Sequence, residues 1–210
     1  MSPIVFEMSV ISDLALKIML RVIKANEESQ IIPDDQSGPL ALAAALSDFF
    51  ELALGLEQSE KAQQSEQPLD PEAASELAHH ALDLADRLSY QLRQLDIFDQ
   101  QESLASLFGS LAIWFARRGA ELENLDGTAD GFARLVNKEQ AVDGLKDLCG
   151  WMNEVLLATT DQIKADQDRD NPWRPWRVLN LNMGIAATRA LDPQLMTETF
   201  DELGSRIPYD

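Results

Sequence analysis

The chain has two histidines, His79 and His80, standing side by side with Glu76 ahead of them and Asp83 behind. On a helix, residues three and four apart share a face, so Glu76, His80 and Asp83 could present two carboxylates and an imidazole together. This is the Glu-x-x-His spacing from which helical bundles build carboxylate-bridged metal sites. Such a site needs a second element of the same kind, and there is no third histidine to build one. With Leu77 and Leu88 taken as the buried direction, His79 points away and His80 lies on the flank. A solvated polar face accounts for the cluster, so no metal or other cofactor is expected. A ligand or metal site between helices at Glu76, His80 and Asp83 is the alternative.

Two other places could carry function. Cys149 sits in an apolar stripe, where a thiol behaves as a small hydrophobe and its pKa rises, which argues against a nucleophile. The heptapeptide Asn171-Pro-Trp-Arg-Pro-Trp-Arg177 gathers two tryptophans, two arginines and two prolines at a helix entrance. Trp and Arg are the residues most enriched at binding hot spots, and proline limits the backbone that presents them. Trp173, Arg174, Trp176 and Arg177 are therefore expected to form a rim for a partner or an anionic ligand. The competing reading packs both tryptophans on the helix below and pairs both arginines with nearby acids. Arg117 and Arg118 suit the negative end of their helix dipole. The phosphate-binding, dinucleotide, nucleophile-elbow and zinc-protease motifs are all absent, so a non-catalytic role is expected.

The elements that must position these residues are helices. No alternating apolar and polar run of useful length is present, whereas stripes of three- and four-residue steps recur. Leu77, Ala81, Leu84, Leu88, Leu92 and Leu95 form one, opened by Asp70-Pro71-Glu72 with aspartate as cap and proline in the first turn. Val142, Leu145, Cys149, Met152, Leu156, Thr159 and Ile163 form another, with Asn137 and Gln140 as its expected capping pair. Between them a helix from about Glu102 to Glu123 is apolar all round in its middle, which marks it as buried. Ser106, Gly109 and Ser110 are small enough to let a neighbour approach it. Further helices are expected over 9–25, 39–56, 128–136, 174–190 and 193–203. Loops are expected at 26–38 and 57–69. The apolar helix 39–56 needs later helices to cover it, so the chain reads as one all-α domain, 1–210. It should hold about seven or eight helices in antiparallel hairpins, arranged as a bundle or a solenoid.

The net charge of −19 disfavours sequence-independent attraction to nucleic acid or anionic lipid. Residues 1–105 carry 19 acids and 6 bases, an acidic surface that would steer a basic protein partner. A homo-oligomer is also compatible. Glu7 and Asp13 interrupt the apolar start, as they would not in a secretory signal, and one cysteine forms no disulfide framework. A cytoplasmic protein is expected. No uncharged apolar run approaches the length of about 18 residues that a membrane span needs, the nearest being Leu104–Ala116.

The C-terminal segment carries Asn182-Met183-Gly184, then Ala186, Phe200 and Pro208, with Asp192-Pro193 at a turn. At these offsets Arg177–Asp210 resembles one tetratricopeptide repeat, although Asn180 and Ala187 stand where large aromatics are usual. The resemblance implies a helical hairpin in which Gly184 and Ala186 allow close packing and Phe200 fills the gap. It implies a scaffold for protein contacts and no particular chemistry.

Overall fold

A computed structural model describes residues 3–62, 69–166 and 170–208. Among them are nine helices and no strand, so the chain is all-α. They are α1 (Met8–Ser29), α2 (Pro39–Lys61), α3 (Pro71–Gln94), α4 (Gln101–Ala116), α5 (Asp126–Lys138), α6 (Val142–Ala158), α7 (Asp161–Lys164), α8 (Pro175–Arg189) and α9 (Pro193–Arg206). The helix beyond the expected count is the single turn α7: the stripe expected to run as one helix from Val142 to Ile163 breaks after Ala158, where Thr159 is extended and bridges to Leu122.

α4 is the axis of the fold. Its middle, from Leu107 to Phe115, is buried on every side, because α1, α3, α5 and α6 all pack on it. The small residues meet an unexpected neighbour, the segment that precedes α1. A Cβ at Gly109 would lie 2.5 Å from Ile4 Cδ1, and Ser110 Oγ accepts a hydrogen bond from Val5 N at 3.1 Å. α8 packs on α5 and α6, and α9 closes on α8. α2 packs on α1 and α3 at the opposite margin.

Several helix ends differ from expectation, each for a local reason. Asp70 does cap α3, accepting from Ala73 N, and Asp192 caps α9 in the same way. Asn137, in contrast, lies in the last turn of α5 and caps nothing. No side chain caps α6, and Glu139 Oε1 instead accepts from Gln140 N and Ala141 N in the turn just before it. α4 stops at Ala116, and Gly119 turns the chain at φ +78°. α1 runs on to Ser29, and the side chain of Asn26 then holds Ile32 through both its backbone N–H and its carbonyl.

α2 likewise continues past 56 to Lys61, so 57–61 is helix and not loop, while residues 63–68 of the expected loop lie outside the described residues. The reason is Glu57, which is buried. Its Oε1 accepts from Met8 N at 3.1 Å and from Trp114 Nε1 at 3.2 Å, while Oε2 accepts from Lys61 at 3.0 Å. Burial pushes this carboxyl up, but the hydrogen bonds from Lys61, Trp114 and Met8 outweigh it and hold it below its ordinary value. One carboxylate thus fastens α2 to the start of α1 and to the central helix. Beside it the Arg118 guanidinium lies 3.4 Å above the Trp114 ring and pairs with Glu60 at 2.6 Å.

Candidate functional site

The structure divides the Trp/Arg heptapeptide. Asn171 Oδ1 accepts from Trp173 N, a turn that leaves the indole 78% exposed. Trp176 enters the core beneath α8 and its Nε1 donates to Arg206 O at 3.4 Å. Arg174 is buried as well, donating to the carbonyls of Asn171 and Asp166. Of Trp173, Arg174, Trp176 and Arg177, expected as one exposed rim, Arg174 and Trp176 are buried. Pro175 opens α8, and the helical turn that follows sends Trp176 inward while Trp173 stays on the loop outside. These carbonyl oxygens are among the partners that let the Arg174 charge tolerate burial. What remains at the surface is Trp173, with the half-buried Arg177 donating to Pro172 O.

The histidine cluster stays on the outer side of α3. Glu76, His79, His80 and Asp83 are all exposed, and among the described residues no three His, Cys, Asp or Glu side chains converge to hold a metal. His80 lies edge-on to Phe49 at 6.3 Å between ring centroids. Cys149 is buried and its thiol is pushed up to about 11 by that burial. Its Sγ donates to Met183 O. The α8–α9 hairpin closes over Gly184, where a Cβ would lie 3.1 Å from Leu203 Cδ1 and 3.8 Å from Phe200. Leu203 makes the closer contact, and Phe200 remains about half exposed at the edge.

A surface that the residue types do not announce is the outer side of α2. This helix is, among the described residues, the one long and apolar enough to cross a membrane, with a mean hydropathy of 1.5 over its best stretch. Only 33% of that stretch is buried. Leu42, Leu46, Phe49, Phe50 and Ala53 face α1 and α3 and join the core. Leu40, Ala44, Leu52 and Gly55 face outward with Asp48 and Glu51 between them. No atom stands within 4 Å of where a Cβ of Gly55 would be. The outer side is therefore apolar ground with two carboxylates on it and no base before Lys61. Composition alone could have found α2, but only packing reveals which half of it is left bare. Compared with known protein families, with characterised proteins and with solved structures, the chain matches none.

Proposed function

We propose that the chain is a non-catalytic protein-interaction domain whose α2 receives a basic amphipathic helix of a partner protein. The observation that carries this reading is an apolar helix of which 33% of the best stretch is buried, the rest being partly buried or, as at Leu40, Ala44 and Leu52, exposed. Covering its leucines would recover roughly 25 cal/mol for each Å² removed from water.

Charge selects the occupant. A second copy seated symmetrically on the same side would set Asp48 and Glu51 against their own duplicates. A bilayer would have to take in both carboxylates at mid-helix, at about 2.5–3.5 kcal/mol for an aspartate there. A helix with an apolar stripe flanked by Lys or Arg meets both features of the surface, and the net charge of −19 would speed its arrival.

The test is calorimetric titration of the full chain with a two-faced helical peptide of leucine and lysine. Saturable one-to-one binding is expected, abolished by Asp48→Lys with Glu51→Lys and kept when the exposed α6 acids are changed as Asp143→Lys with Asp147→Lys. Equal loss in both double variants would reduce the effect to net charge and overturn the reading. Binding to neutral lipid vesicles through α2 would overturn it in favour of a membrane.

A further inference from the structure

α3, α4 and α5 also enclose a cleft of about 560 Å³, and its charges are laid out in order. The end of α4 meets the start of α3, where Glu121 N donates to Ser75 Oγ at 2.9 Å. The start of α4 meets the end of α5, where Glu102 pairs with Lys138. Both α3 and α5 therefore run antiparallel to α4 and parallel to each other, with α4 as the floor between them.

Along α3 the cleft is lined by Asp86 and, seven residues on, Arg93. Along α5 it is lined by Asp126 and Asp130 and, eight residues from the first, Arg134. At 1.5 Å per residue these spacings correspond to about 10 and 12 Å. The acids of the two walls meet at one end. A Cβ on Gly127 would lie 2.8 Å from Asp86 Oδ1 and 2.3 Å from the Phe108 ring, so the first turn of α5 is pressed against Asp86. Arg93 and Arg134 occupy the other end, and neither makes an ion pair or side-chain hydrogen bond among the described residues. Glu102, at that end, is already engaged by Lys138. Phe98, 67% exposed, stands at the same end.

We infer that this trough binds a short peptide with free termini, about three residues long, its ammonium between Asp86 and Asp126 and its carboxylate between Arg93 and Arg134. Three extended residues span about 10 Å, which matches the separation of the charges. Phe98 offers an apolar contact to the peptide's side chains. Among the described residues neither Asp86 nor Asp126 makes an ion pair, although Asp86 accepts from Asn124 Nδ2 at 2.6 Å. Burial raises Asp86, the hydrogen bond from Asn124 offsets part of this, the charges of Asp126 and Asp83 raise it again, and the charge of Arg93 lowers it a little. Burial and Asp130 raise Asp126. A bound ammonium would relieve both.

The experiment is calorimetric titration of the full chain with Ala-Phe-Ala, its N-acetylated form and its C-terminal amide. The free tripeptide should bind, and either block should weaken it at least about tenfold, since each removes a charge-assisted contact. Arg93→Gln with Arg134→Gln should cost the free peptide as much as amidation does and should cost the amide little more. Asp126→Asn should mirror acetylation, while Asp86, wedged against α5, is left intact to preserve the fold. Equal affinity for free and blocked peptides, or no heat from the free peptide up to about 10 mM, would overturn the assignment.

Discussion

α2 and α4 are both long, strongly apolar helices, and they meet opposite fates. α4 lies inside a ring of four helices and is buried from Leu107 to Phe115 without a break. α2 has neighbours on one side, and seven of its 23 residues are buried. Apolarity tells that a helix must be covered and leaves open what covers it. For α4 the cover is the rest of the chain. For α2 the outer side stays open to solvent, with Asp48 and Glu51 on it, and the proposed partner helix would have to match both its leucines and its carboxylates.

The largest effects should come from testing that contrast directly. Ile113→Asp places an unpaired charge in the centre of α4 and should cost more than about 4 kcal/mol, leaving the chain unfolded. Leu52→Asp, on the open side of α2, should change stability by no more than about 0.5 kcal/mol in urea denaturation. A comparable loss at Leu52 would mean that this side of α2 is core. The two tryptophans of the α8 entrance repeat the contrast on a smaller scale. Trp176→Ala should cost about 3–5 kcal/mol by leaving a cavity, and Trp173→Ala about 0.5 kcal/mol or less.

A smaller effect tests the fastening of α2. Glu57→Leu strands the Met8 N–H and the Trp114 indole N–H in the interior, which should cost about 2 kcal/mol, with Glu57→Gln less severe because one acceptor survives. The pH dependence has a definite sign. The Glu57 carboxyl is held below its ordinary value of 4.5 in the folded chain. Its contribution is therefore present above pH 4.5 and lost as pH falls through the folded value. Thermal melts of Glu57→Gln should be flatter than wild type across that acidic window. Parallel acid profiles would show that the carboxylate does not hold α2 in place.

The sequence announced the helices better than their neighbours. The α3 stripe and the Asp70 cap are local; the cap and the stripe from Ala81 to Leu92 stand as read, while Leu77 is partly buried and Leu95 lies just past the helix. The extension of α2 through 57–61 was hidden because this stretch is polar, and what keeps it helical is a carboxylate bonded to residues 49 and 57 positions away. Trp173 and Trp176 are three residues apart and chemically alike, so nothing in the heptapeptide says that one is surface and the other core. That depends on where α8 begins. The trough was half visible in the same sense. An acid and an arginine spaced by two turns occur on both α3 and α5, but only α4, threaded antiparallel between them, brings the two spacings into register.

Carboxyl footprinting most directly tests the claim that the open side of α2 is a docking surface. The full chain is treated with a water-soluble carbodiimide and an amine, with and without the leucine–lysine helix, and the labelling of Asp48 and Glu51 is read by mass spectrometry. Both should lose reactivity as the peptide saturates, while Asp143 and Asp147 on α6 keep theirs. Unchanged labelling of Asp48 and Glu51 at saturation would contradict the account, as would protection that grows with the chain's own concentration in the absence of peptide.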